Sequence, residues 1–174
     1  MTAHRRYLKG QDGYTLVEVI IASALGVLLM SALTSVVLTS WRGAMIATSR
    51  VEASGQIRNF EFFAYDDFAR SNVPSGSGCV QAAPCTTQPL VLNGYQVSNS
   101  TAIPAFFQVT YTWDGAAFLD RTVAATGATG HAATDVSTFS WYVDTDQSVV
   151  VNLTVTVQAY SQSQTFRFDP KVNP

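Results

Sequence analysis

Charge is scarce in this chain of 174 residues: Asp, Glu, Lys and Arg together make up 13%, about half the share usual in a soluble domain. The formal net charge is −2, so no global basic field argues for nucleic acid. Two cysteines are too few for a disulfide-dense scaffold or an all-cysteine zinc site. Two histidines leave little material for a His-rich metal centre. No proline falls between Tyr14 and Val73, so nothing there forbids an unbroken helix. Apolar residues, by contrast, form 47% of the chain. That is enough to offset the entropy of ordering, which excludes disorder, and the length suits one domain with a sizeable core.

The apolar residues are unevenly placed. Residues 1–13 read MTAHRRYLKGQDG, basic through Arg5, Arg6 and Lys9, and from Tyr14 to Ser40 the only charged side chain is Glu18. About 20 apolar residues span a bilayer as a helix. Positive charge before the span puts the N-terminus in the cytoplasm and the rest of the chain outside. A secretory signal peptide has an apolar region of roughly 7–15 residues and a small-residue cleavage site; this segment is longer and carries an acid near its start. A plain membrane anchor accounts for the length but not for Glu18, whose burial in lipid costs about 2.5–3.5 kcal/mol on insertion scales.

The string Gly13-Tyr14-Thr15-Leu16-Val17-Glu18 opens the span directly after the short basic leader. It resembles the class III leader motif of type IV pilins and type II secretion pseudopilins: glycine before the cut, an aromatic residue after it, and glutamate fifth. The resemblance covers residues 1–60 by motif and the remainder by general pattern. It implies that a prepilin peptidase cuts between Gly13 and Tyr14 and methylates the new Tyr14 amine. It also implies that Glu18 meets the N-terminal amine of a neighbouring subunit and so sets axial register. Each charge is costly in lipid alone and cheaper when paired; the alternative is a merely tolerated glutamate near the interface. The implied partners are the peptidase, other pilin or pseudopilin subunits and an inner-membrane assembly platform. The implied location is the bacterial inner membrane, single pass with the head outside, then a pilus or pseudopilus in the periplasm or at the cell surface. Many major pilins carry a proline where this chain has Ser35, a departure that favours a minor subunit.

The expected fold is α+β, with a long N-terminal helix packed against a C-terminal antiparallel sheet, the pilin fold. Its parts are a leader over 1–13, a transmembrane or fibre-core helix over 14–40, an amphipathic continuation over 41–70 and a β-rich head over 71–174. From Tyr14 to Arg70 such a helix would be about 85 Å long. Ala53, Ile57, Phe60, Ala64 and Phe68 recur at spacings of three and four and predict a stripe facing the head. Arg58 with Glu61 and Asp66 with Arg70 read as solvated pairs. The cluster Phe60, Phe62, Phe63, Tyr65 and Phe68 reads as core rather than a ligand box.

After Arg70 comes loop chemistry, SNVPSGSGCVQAAPCTTQP. In an exported chain Cys79 and Cys85 are expected to form a disulfide; a redox or metal pair is the alternative, without CxxC spacing or an adjoining His or acid cluster. Period-two alternation predicts strands at Phe106–Trp113, Ala117–Val123, Val136–Val143 and Val149–Tyr160, with a short edge strand at Thr165–Phe168 and a turn at Asp114-Gly115. The segment VTYTWDGAAFLDR resembles minor pilins of the PilW and secretion-pseudopilin J group.

Catalytic chemistry is missing. No triad, phosphate loop or cofactor motif can be assembled, so neither an enzyme nor a cofactor is expected. His131 reads as an exposed loop residue. Asp144 and Asp146 have a spacing seen in calcium loops but lack the rest of one, and read as a polar hairpin turn. Asn99-Ser100-Thr101 and Asn152-Leu153-Thr154 fit the glycosylation triplet, taken as fortuitous in a bacterial chain. The leading expectation is a minor pilin or pseudopilin that primes assembly or caps the tip. The rivals are a major pilin, a minor pilin that binds DNA through Arg50, Arg58, Arg70, Arg121 and Arg167, and a membrane-anchored enzyme.

Overall fold

The computed structural model describes residues 13–74, 78–96 and 105–170. The leader and the Asn99 triplet, the latter wholly, lie outside them, Gly13 excepted. Helix α1 runs without a break over Leu16–Ala69, passing Ser35, Gly26, Gly43 and Gly55 as helix. The chain divides into two compact units, Met1–Ala44 and Met45–Pro174.

Described residues of the first unit have every side chain exposed. A window of 18 residues in α1 has a mean hydropathy of 2.4 with none of it buried, long and apolar enough to cross a membrane. Four hydroxyls along this stretch bond back to their own helix. Ser23 donates to Ile20 O at 2.9 Å, Ser31 to Leu28 O at 2.8 Å, Thr34 to Met30 O at 2.8 Å and Thr39 to Ser35 O at 2.9 Å. In lipid a hydroxyl must find its partner internally, and these do.

The second unit sets the later turns of α1 against two antiparallel sheets, an α+β arrangement of the pilin type. Sheet A has the order β1 (Leu90–Gln96), β2 (Ala105–Trp113), β3 (Leu119–Val123), β4 (Ala128–Ala133); sheet B has β5 (Val136–Val143), β6 (Val149–Val157), β7 (Tyr160–Phe168). The expected helical stripe is the buried one: Ala53, Ile57, Phe60, Ala64 and Phe68 are all buried. Phe60 joins the sheets, its ring 5.7 Å from Tyr111 on β2 and 5.2 Å from Phe166 on β7. Phe68 stacks on Phe168 at 4.1 Å.

Five sequence expectations are corrected here. The head holds two sheets rather than one. Strands β1 and β4 had no place in the pattern; β4 reads ATGHAA, too small and mixed to show alternation. The return strand begins at Leu119, not Ala117, because the Asp114 carboxylate accepts the amides of Ala116, Ala117 and Phe118 at 2.8–3.0 Å and holds them in the turn. The long strand ends at Val157: Gln158 is left-handed (φ 54) and turns the chain into β7, which starts at Tyr160 rather than Thr165. No glycine marks that turn, so the alternation runs through it in sequence. Finally, Phe62 and Tyr65 are 75% and 74% exposed; at about 100° per residue they fall off the stripe.

The end of α1 docks by close backbone approach. Ser71 bridges Gly94 of β1, and the Asn72 amide donates to Asn93 O at 2.7 Å. A Cβ on Gly94 would lie 2.0 Å from Arg70 O, so only glycine fits.

Candidate functional site

The start of α1 carries a capping box. Thr15 precedes the first helical residue, and its Oγ1 accepts the Glu18 amide at 3.3 Å. The Glu18 carboxylate reaches back and accepts the Thr15 amide at 3.0 Å and the Thr15 hydroxyl at 3.1 Å. Two of the orphan amides of a helix start are thereby satisfied. Glu18 therefore has a local task that the sequence reading missed, although Thr-x-x-Glu ahead of an apolar run was its signal. Tyr14 is 87% exposed. Among the described residues nothing lies within 4 Å of where a Gly13 Cβ would be, so no described contact demands glycine there.

Residues 8–34 match the family model of the prokaryotic N-terminal methylation motif. No curated protein and no solved structure matches the chain. The match supports the type IV pilin and pseudopilin superfamily and indicates a pilin-like or pseudopilin subunit. With it comes processing by a prepilin peptidase and assembly with other pilins. The motif and the apolar helix are consistent with anchoring in a membrane before assembly.

In the head, the polar groups singled out in sequence are mostly engaged with one another. Asp67, 1% exposed, accepts Arg121 Nε and Nη2 at 2.7 Å each and the Tyr111 hydroxyl at 2.5 Å. Arg121 and Tyr111 are direct cross-strand partners on β3 and β2, so one carboxylate fastens α1 to the middle of sheet A. Burial, then the Asp67 charge, pushes the Tyr111 phenol well above its ordinary range. The hydrogen bonds it donates to Asp67 raise the Arg121 guanidinium in turn. Leu119, two residues before it on β3, is fully buried. No spacing rule connects Asp67 to Arg121 across 54 positions.

Cys79 and Cys85 are joined, with Cα atoms 5.3 Å apart. Their loop pairs with β5: the Cys85 and Trp141 amides each donate to the other's carbonyl at 2.9 Å, and Val143 N donates to Cys79 O at 3.0 Å. Closing a loop this short contributes about 2–2.5 kcal/mol in the chain-entropy treatment.

Asp144 and Asp146 face Arg167, which bonds Asp144 Oδ2 at 3.1 Å and also Asp146. A guanidinium thus fills the place a cation would take, and no metal-binding group of three acids, histidines or cysteines occurs among the described residues. Hydrogen bonds from Ser148, then Arg167, hold the Asp146 carboxyl down at about 2. His131 lies on β4, not in a loop. Its Nδ1 is 2.6 Å from Asp120 Oδ1, and its ring stacks on Phe118 at 4.7 Å. Of the five arginines considered for DNA, Arg70 pairs with Asp66, Arg121 with Asp67 and Arg167 with Asp144 and Asp146, while Arg50 lies over the Tyr160 ring. Asn152 in β6 accepts the Thr165 hydroxyl at 2.7 Å. Among the described residues Asp66–Arg70 closes as an ion pair at 2.7 Å, and Arg58–Glu61 does not.

Proposed function

We propose that the chain is a minor type IV pilin or pseudopilin, cut between Gly13 and Tyr14, N-methylated at Tyr14, and built into a fibre through its apolar helix. One observation carries this reading: the Gly13-to-Glu18 string opens an unbroken helix whose entire first stretch is apolar and exposed. No contact among the described residues accounts for glycine at 13, and recognition by the peptidase does. Glu18 then serves twice, first capping its own helix and then, in the fibre, meeting the Tyr14 amine of a neighbour. The helix passes Ser35 unbroken where many major pilins carry proline, which favours a minor subunit that primes assembly or caps the tip. The VTYTWDGAAFLDR segment supports the PilW and pseudopilin J group. The N-terminus faces the cytoplasm and the head the far side of the inner membrane, in contact with the assembly platform until extraction. DNA binding is the weaker reading, because four of the five arginines already have partners.

The test is the intact mass of protein isolated from its native host. Tyr14 as N-terminus, heavier by one methyl group, is expected. A chain that keeps residues 1–13, or is cut near Ser40, would refute the class III reading.

A further inference from the structure

Successive side chains of a strand point to opposite faces of its sheet. In sheet A the buried positions Leu90, Leu92, Val109, Tyr111 and Leu119 define the face that meets the core. Their neighbours make the outer face, and the register sets them in rows. Tyr95 lies beside Phe106, and Asn93 beside Gln108. Thr110 lies beside Thr122, which lies beside Thr129. Thr112 lies beside Asp120, which lies beside His131.

Both ends of this face carry aromatic rings that the fold leaves in solvent. At one end Tyr95 and Phe106, each 57% exposed, meet edge to face at 6.2 Å. At the other end Phe118, 41% exposed, stacks on His131 at 4.7 Å. Along β2, Phe106 and Thr112 are about 20 Å apart at 3.4 Å rise per residue, and the second aromatic pair lies in the row of Thr112. Between the ends the surface is polar and nearly uncharged. Gln108 Nε2 donates to Asn93 Oδ1 at 2.8 Å. Among the described residues this leaves the Asn93 side-chain N–H groups as donors and the Gln108 side-chain oxygen as an acceptor, with no other partner. The Thr122 and Thr129 hydroxyls bond each other at 3.1 Å. Asp120 is the one carboxylate in the rows, and His131 Nδ1 meets it at 2.6 Å. No lysine or arginine falls in these rows.

Exposed rings at both ends of a neutral polar floor select among partners. A nucleic acid needs cations for its phosphates, and the rows supply none. A lipid surface or an apolar helix needs a continuous apolar patch, which the amides and hydroxyls interrupt. An added peptide strand needs a free edge, not a face. A sugar chain fits on both counts. Its rings offer apolar C–H faces to aromatic side chains, and its rim hydroxyls both donate and accept, as Asn93, Gln108 and the threonines require. The separation of the aromatic ends calls for a chain that runs straight for about 20 Å. An extended β-linked glucan of the cellulose type does so; a coiled α-linked glucan of the starch type does not. We propose that the outer face of sheet A binds a neutral, extended β-linked glucan outside the cell, its rings on Tyr95, Phe106 and Phe118 and its hydroxyls on Asn93 and Gln108. The site belongs to the head alone and adds a ligand to the assembly role; only its place outside the cell rests on the topology proposed above.

Isothermal titration of the full-length chain with cellohexaose, in a zwitterionic detergent free of sugar, tests this. Cellohexaose is expected to bind with a Kd between micromolar and millimolar. Maltohexaose, the same sugar in a coiled chain, should bind about tenfold more weakly or worse. Cellotriose, too short to reach both aromatic ends, should also lose about tenfold, because it cannot engage them together. Phe106→Ala and Phe118→Ala, at opposite ends, should each weaken cellohexaose binding by about fivefold. Phe62→Ala removes an equally exposed ring on α1, away from this face, and should leave binding unchanged. Near-ultraviolet dichroism checks the fold of each variant, and Tyr95→Ala replaces Phe106→Ala if the latter alters it. No binding of cellohexaose at millimolar concentration, equal binding of the two hexaoses, or an equal loss on Phe62→Ala overturns the proposal. The fibre reading stands apart from this result, because the N-terminal mass decides it.

Discussion

Replacing Asp67 by asparagine isolates the charge that fastens α1 to sheet A. The side chain is 1% exposed and bonded to Arg121 twice and to Tyr111 once. Breaking a buried ion pair by removing one partner typically costs about 3–5 kcal/mol. The Arg121 side chain keeps 22% of its exposure, so part of the stranded charge is hydrated, and asparagine retains one acceptor for Tyr111 or Arg121. The expected loss is therefore about 2–4 kcal/mol. At roughly 4 °C per kcal/mol for a unit of this size, the thermal midpoint of the head should fall by about 8–16 °C. The assay is near-ultraviolet circular dichroism of the detergent-solubilised protein during heating. The adjacent Asp66 is the control. Its pair with Arg70 has side chains 57% and 41% exposed, and such surface pairs contribute about 0–1 kcal/mol, so Asp66→Asn should move the midpoint by less than about 4 °C. A second readout does not depend on stability. Removing the Asp67 charge should lower the alkaline titration of Tyr111 toward the ordinary tyrosine range, with burial still holding it high. If Asp67→Asn is no more damaging than Asp66→Asn, the buried carboxylate does not fasten the helix.

Gly94→Ala should cost about 3 kcal/mol or more, since its Cβ meets backbone rather than a side chain that can move; Gly55→Ala, in α1 with open space around it, should stabilise by about 1 kcal/mol, both read from the thermal midpoint. Asp146 is held at about 2 by Ser148 and Arg167, below its unfolded value near 3.9, and Asp114 is lowered by the amides of Ala116, Phe118 and Ala117. Their contribution is present above about pH 4 and lost as pH falls toward 2; the midpoint should drop in that window, and Asp146→Asn should flatten the drop. Glu18→Gln keeps the capping box, which accepts glutamine at this position, but removes the charge, whereas Thr15→Ala removes the cap and keeps the charge. The ratio of fibre-associated to membrane-pool protein should fall sharply for Glu18→Gln and little for Thr15→Ala; the reverse order would make capping the main role of Glu18.

Much of the helix was legible because its causes are local. The spacing of Ala53, Ile57, Phe60, Ala64 and Phe68 placed the core stripe, the absence of proline allowed one continuous α1, and Gly13 through Glu18 marked where it begins. β2 and β5 were legible for the same reason: each carries its alternation within its own residues. The capping box was also local, and the pattern for it was present in Thr15 and Glu18. Tertiary structure decided the rest, because those features are set by partners distant in sequence. The division into two sheets follows from register, and register depends on which strands face each other. The turn at Gln158 needs a left-handed residue without the glycine that would announce it. β4 is a strand because β3 pairs with it, not because ATGHAA favours one. The Asp67–Arg121–Tyr111 cluster exists only after α1 lies across β2 and β3, when burial makes a single carboxylate the partner of both.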